Sequence, residues 1–423
     1  MTDSKKKITV KKSVAETKSV KDPTWKKAKE NKAMLYSPEE AARIDTIGPK
    51  LVAWYEAHGR ELPWRVDRDA YKIWISEIML QQTRIEAVKP YFARFMEALP
   101  TLESLAQVEE ERLLKLWEGL GYYSRARNLK KCALTVMDQF EGQLPADYEA
   151  LKKLPGIGPY TAGAIGSLAY GLAVPAVDGN VLRVLSRILL SREDIMQTGV
   201  RKKMEQLLLD HMPQDKPGQF NEGIMELGET VCVPNGRPFC EQCPLREDCL
   251  GYAAGEQEEL PVKAPKKARR VEERTVLVLR YGQDSTQGGK AVQVGVDPVF
   301  DAASAEDRVD EGLWIALRKR PDTGLLAGLY ELPALDGHLT AEQLCEVLTA
   351  QGLDIREIRP TEKARHIFSH VEWDMTGYVI ELSQLPEQSD DLDEAGYLFV
   401  ERRALQQEYA LPTAFKAFRK WIQ

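Results

Sequence analysis

No apolar run in the 423-residue chain approaches the ~18 residues of a membrane-spanning helix, so none is expected to cross a bilayer. The first residues are lysine-rich and lack the apolar core of a secretory signal, which sets the expectation at the cytoplasm of a bacterial type of cell. Positive charge is not in excess: the net charge of -7 excludes a uniformly basic protein that coats nucleic acid, while leaving room for a local basic groove. Histidine is scarce, five in all, and the His366/His370 pair at i,i+4 finds no third ligand, so His370 reads as a recognition or packing residue rather than a metal ligand. Outside one group of four, cysteine is limited to Cys132 and Cys345, each alone in a periodic segment and read as a small core residue.

What the chain does contain divides it. Residues 1-35 carry eleven lysines and little apolar content, the pattern of a basic disordered tail. From 36 to 254 apolar residues recur at three- and four-residue spacing, over segments 40-58, 71-98, 109-118, 124-140, 147-153, 160-172, 179-190, 198-212 and 217-230, which predicts an all-α domain. Residues 255-272 are charged and proline-containing with no apolar face, and read as a linker. From 273 to 423, β-rich runs at 275-281, 313-320 and 377-382 alternate with helical patterns at 340-351 and 403-422, giving α+β character, with a long loop at 283-311.

The densest signal is LPGIGPYTAGAIGSLAYGLAVPAVDGN, residues 154-180. Gly156 and Gly158 are expected to free the backbone to turn its N–H groups onto one anion, such as a nucleic-acid phosphate, at the start of the helix that follows Pro159. Asp178 stands 20 residues beyond Gly158, either as a catalytic carboxylate or as the N-cap of a helix from about Asn180. Four cysteines then fall within 18 residues, Cys232-x7-Cys240-x2-Cys243-x5-Cys249. In a reducing compartment such a group shares a metal. A single CxxC and unequal gaps favour a 4Fe-4S cluster wrapped by one loop, with structural zinc as the alternative. Such a cluster serves as a folding staple that displays Lys202, Lys203, Arg237 and Arg246.

The hairpin, the VDGN segment and the four-cysteine loop, in this order, resemble the helix-hairpin-helix superfamily of base-excision DNA glycosylases, the endonuclease III and adenine glycosylase group. The resemblance implies a six-helix barrel plus an iron-sulfur cluster domain. Endonuclease III-like members carry, where this chain has Tyr160, a lysine that cuts the strand through a Schiff base; a phenol has no such amine. LPWR (62-65) and WISEIMLQQT (74-83) resemble the signature of MutY-type adenine DNA glycosylases. By that resemblance Glu77, set among Ile73, Trp74, Ile75, Ile78, Met79 and Leu80, protonates adenine with a raised pKa, and Asp178, kept ionised, stabilises the cationic sugar. Tyr160 and Asn180 shape the site, Arg65 and Glu222 contact the flipped base, Gln82 and Tyr122 fill or wedge the duplex, and Thr83 approaches the opposite base. Arg125, Arg127, Lys130 and Lys131 either grip phosphates or solvate a helix face.

Residues 275-423 resemble that family's MutT/Nudix-like C-terminal domain, which recognises 8-oxoguanine opposite adenine, and Phe368, Ser369 and His370 match its reading loop. A working Nudix hydrolase is excluded because the best alignment to its acidic motif, Cys345 to Gly352, lacks the metal-holding carboxylates. The implied partner is double-stranded DNA with adenine opposite 8-oxoguanine or guanine, bound by a monomer at the nucleoid. The alternatives are an endonuclease III-like glycosylase/lyase on oxidised pyrimidines and a non-catalytic iron-sulfur DNA-binding protein. The first cysteine gap is one residue longer than usual, which Asn235-Gly236 can loop out.

Overall fold

The computed structural model describes residues 35–265, 268–282, 312–386 and 395–422; most of the lysine-rich tail and the 283–311 stretch lie outside them. The first helix, α1 (Pro38–His58), starts at a capping box in which Ser37 and Glu40 bond each other's backbone N–H. There follow α2 (Ala70–Leu80), α3 (Ile85–Ala98), α4 (Leu102–Gln107), α5 (Glu110–Leu116), α6 (Ser124–Gln139), α7 (Tyr148–Leu151), α8 (Pro159–Tyr170), α9 (Gly179–Ile188), α10 (Thr198–His211), α11 (Pro217–Thr230) and α12 (Leu250–Ala253). The continuous helix expected over 71-98 is instead two helices. Gln82 takes φ +65 between them, and the chain turns there because the last carbonyls of α2 bond Arg125 rather than a continuing helix.

Two apolar clusters hold the helices. One gathers α2 to α6 and α8 around the fully buried Trp74, Phe95 and Trp117; the other gathers α1, α9, α10 and α11 around Ile44, Leu51 and Phe220. Four helices, α2, α8, α9 and α11, meet where the two clusters join. Close approach at that junction depends on a small residue: a Cβ on Gly163 of α8 would stand 2.0 Å from the carbonyl oxygen of Pro175.

The linker is more embedded than its composition suggests. Leu260 is buried, and Leu260 and Val262 offer carbonyls to Arg187 and to the Ile195 N–H. The sheet begins early, with β1 spanning Arg270–Tyr281, followed by β2 (Trp314–Lys319), β3 (Tyr330–Glu331), β4 (Ala334–Asp336), β5 (Ile355–Pro360), β6 (Ala364–Ile367), β7 (Val371–Leu382) and β8 (Tyr397–Glu401). The strand order is β3-β2-β1-β7-β5, with β4 on β1, β6 on β7 and β8 on β2; β1 and β7 run parallel and the other pairs antiparallel. Helix α13 (Ala341–Ala350) covers one face through Leu344 and Leu348. Phe415 and Phe418 cover the other. They lie on a 3-10 turn, Thr413–Trp421, preceded by a short helix α14 (Arg402–Gln407), where one helix was expected over 403-422. Pro412 interrupts it. Cys132 is buried as expected, but Cys345 is exposed, because α13 turns Leu344 and Leu348 inward and leaves position 345 outward.

The two halves touch. Leu329 and Ala410 pack into the first helical cluster, Lys115 Nζ donates to the Tyr409 carbonyl at 2.9 Å, and Glu118 accepts from the Leu411 N–H at 3.3 Å and from Arg419 at 2.5 Å.

Candidate active site

Burial defines the site. Glu77 sits on α2 among apolar neighbours and is only 5% exposed. Desolvation pushes its carboxyl up to about 7; the Tyr160 hydrogen bond and Arg65 oppose the shift, while Asp178 and Glu222 add to it by like charge. Tyr160, on the first turn of α8, donates its hydroxyl to Glu77 Oε2 at 2.5 Å and lies 3.5 Å from Met225 Sδ. Burial and the neighbouring carboxylates, Glu77 first, keep that phenol protonated.

Of the two roles open to Asp178, the structure shows the capping one. It is the N-cap of α9, accepting from the Val181 N–H at 2.7 Å, and its other oxygen accepts from Asn180 Nδ2 at 3.0 Å. Burial nonetheless raises its pKa, against those donors and Arg183. An ionised Asp178 is therefore held by its hydrogen bonds against a desolvating environment, rather than by exposure to water.

Across the site, α11 presents Glu222 and Glu226, each about 1% exposed. Arg65 faces both, with Nε 3.4 Å from Glu222 Oε1 and a terminal nitrogen 2.9 Å from Glu226 Oε2. Arg68 reaches Glu222 Oε2 at 3.2 Å. Thus Glu77, Tyr160, Asp178, Asn180, Arg65 and Glu222 fall into one network, from segments spread over more than 150 residues of chain.

The hairpin is half as expected. Gly156 takes φ +74 and an added Cβ would meet Asn128 Cβ at 2.7 Å, so only glycine fits. Gly158 has φ -87 in extended backbone with open space around it, and is the N-cap of α8; its conformation does not demand glycine. Tyr122 stands at φ +47 and 49% exposed, its hydroxyl 3.3 Å from Ser369 Oγ. Ser369 and His370 are exposed at the turn between β6 and β7, and Phe368 packs edge-on against Trp373 with centroids 4.9 Å apart. Gln82 is exposed and Thr83 half-buried on the loop after α2.

The HhH-GPD superfamily of base excision DNA repair proteins matches residues 75–209, and the NUDIX domain matches residues 308–421. The adenine DNA glycosylase of Mus musculus is 34% identical over 82% of this chain and 73% of its own length. The chain belongs to the adenine DNA glycosylase family. The human adenine DNA glycosylase is also 34% identical, over 79% of this chain, which spans 66% of that relative's length. Among solved structures, a thermostable thymine-DNA glycosylase is 27% identical over 50% of this chain and 98% of its own, with a TM-score of 0.45.

In this glycosylase the four cysteines line one cavity with Leu227, Val231 and Leu245. Among the described residues no group of three or more His, Cys, Asp or Glu is drawn in closely enough to hold a metal ion. The donor set itself fits a thiolate-bound group. Burial and mutual repulsion raise the Cys240, Cys243 and Cys249 thiols, Cys243 to about 12, so these three can ionise together only around a cation. Gly236, at φ +77 in open space, makes the turn that the longer cysteine gap requires. Of the cations expected to be displayed there, Lys203 is paired with Glu40 and Glu193, and Arg246 with Glu241.

Buried arginines were not singled out from the sequence, yet they organise the site. Arg183 donates to Asn180 Oδ1, Gly228 O and Cys232 O, and Arg187 to Cys232 Sγ, Val233 O and Leu260 O. Their signal was two arginines at i,i+4 inside the apolar run VLRVLSRILL. Arg125 is a correction. It neither grips phosphate nor solvates a face, because it donates to the carbonyls of Ile78, Gln81, Leu120 and Gly121, and desolvation pushes its pKa down to about 10. Arg127 likewise ties Glu110 to the Ala327 carbonyl across the two halves.

Proposed function

We propose that this glycosylase removes adenine mispaired with 8-oxoguanine or guanine in duplex DNA, without cutting the strand. The observation that carries the reading is a buried carboxyl poised near neutrality, Glu77, in a network with Tyr160 and Asp178. With the adenosine flipped from the stack, Glu77 gives its proton to N7. The C1'–N9 bond then breaks with its electron pair going to the base, which departs neutral, and the positive charge on the sugar is met by Asp178. Tyr160 orients the acid and offers no amine for a Schiff base.

A 4Fe-4S cluster on Cys232, Cys240, Cys243 and Cys249 supplies a fixed fold for the loop when bound, and Arg183 and Arg187 join that loop to α9, the helix that Asp178 caps. Ser369, with a hydroxyl that both donates and accepts, suits the Hoogsteen edge of the oxidised base, and Tyr122 beside it suits the gap in the stack. In a single-turnover assay, adenine should be lost from duplexes with A opposite 8-oxoguanine and A opposite G, while thymine glycol opposite A stays intact. Base loss from the thymine glycol duplex alone overturns the proposal.

A further inference from the structure

Arg68 belongs to none of the motifs above, yet it touches the base-contacting carboxylate. It occupies the loop between the Pro63–Arg65 turn and α2 with φ +50, a conformation that a non-glycine residue adopts only under constraint. Its guanidinium spans two helices, donating to the Leu168 carbonyl near the end of α8 at 3.3 Å and to Glu222 Oε2 on α11 at 3.2 Å. Gly218, one turn before Glu222, makes room for it: a Cβ there would lie 3.2 Å from the same guanidinium.

The two arginines on Glu222 divide its oxygens. Arg65, 14% exposed and also bonded to Glu226 and to the Arg60 carbonyl, takes Oε1; Arg68, 43% exposed, takes Oε2. With its side chain only 2% exposed, Glu222 has little water to satisfy it, so these guanidinium groups, together with the Tyr55 hydroxyl that also hydrogen-bonds it, set how its carboxylate plane is turned. A carboxylate oxygen accepts from two donors, and therefore Oε2 can hold Arg68 and still accept an N–H from a base.

We propose that Arg68 is a positioning residue for base recognition: it fixes the Glu222 carboxylate so that Oε2 accepts the 6-amino group of the flipped adenine. The inference rests on the reading of Glu222 as an adenine contact. It predicts that Arg68 acts on adenine through the amino group and not on the purine ring as such. A general structural role would weaken every substrate alike.

The test compares single-turnover excision of adenine and of unsubstituted purine, which lacks the 6-amino group, each opposite 8-oxoguanine, in wild type, Arg68→Ala and Arg68→Lys. Loss of one charge-assisted hydrogen bond should lower the adenine-to-purine rate ratio about tenfold in Arg68→Ala. Arg68→Lys should recover part of it, since an ammonium can reach Oε2 but cannot fork onto Leu168 O with the same geometry. An unchanged ratio in both variants, whether the two rates fall together or not at all, overturns the inference. Should Arg68→Ala not fold, the Lys variant alone still reads the ratio. A wild-type enzyme that releases neither base would instead sink the underlying adenine reading, so the two failures are distinguishable.

Discussion

Glu77 and Asp178 are two carboxylates that burial pushes in the same direction, and their partners separate them. Glu77 has one neutral hydroxyl donor, and the Arg65 charge near it is set against the like charges of Asp178 and Glu222, whereas Asp178 has a helix N-terminus, an amide and the Arg183 guanidinium. Asp178→Asn should abolish excision while duplex affinity stays within a fewfold, checked by single-turnover kinetics beside a binding titration; unchanged turnover removes Asp178 from the mechanism. The folded pKa of Glu77, about 7, lies above its ordinary 4.5. The stability tied to its protonated form is therefore complete below 4.5 and is lost as pH rises through 7. Glu77→Gln, which cannot ionise, should accordingly gain more in Tm over wild type at pH 8 than at pH 5. An equal difference at both pH values would contradict the buried, raised carboxyl. The residues of this site were legible in the sequence through the resemblance of LPWR, WISEIMLQQT and VDGN to a known family's motifs. The direction of Arg125 was not, since nothing local in GYYSRARN tells that its guanidinium turns back onto α2.

At the level of elements, periodicity located most helices but not the breaks that aim them. Residues 71-98 read as one helix because the apolar spacing continues through Gln81 to Arg84; only Arg125, about 44 residues away, shows that the α2 carbonyls are already taken. Arg125→Ala should cost about 2-3 kcal/mol in a denaturant titration by orphaning those carbonyls. It should also leave the salt dependence of DNA affinity unchanged, because Arg125 is no phosphate contact; a shallower salt slope would contradict its placement. The hairpin makes a paired prediction. Gly156→Ala, at φ +74 against Asn128, should lower stability by about 1 kcal/mol or more, whereas Gly158→Ala, extended and in open space, should leave Tm within error. Equal losses for the two would show that the hairpin backbone differs from the one described.

Across the whole molecule, the α and α+β halves were visible as a change of period near 255-275, but their contact was not. It is carried by backbone carbonyls at Tyr409 and Ala327 and by Glu118, features that no sequence motif marks. That contact sets Tyr122 of the helical half beside Ser369 of the sheet half, the arrangement that the proposed function needs for a wedge and a reading loop to meet one mispair together. The most direct test of the account is single-turnover excision of adenine opposite 8-oxoguanine as a function of pH. A buried general acid predicts a rate that is level at low pH and falls about tenfold per pH unit above about 7, with Glu77→Gln at least about a hundredfold slower throughout. A wild-type rate that stays flat or climbs from pH 6 to 9 would contradict it.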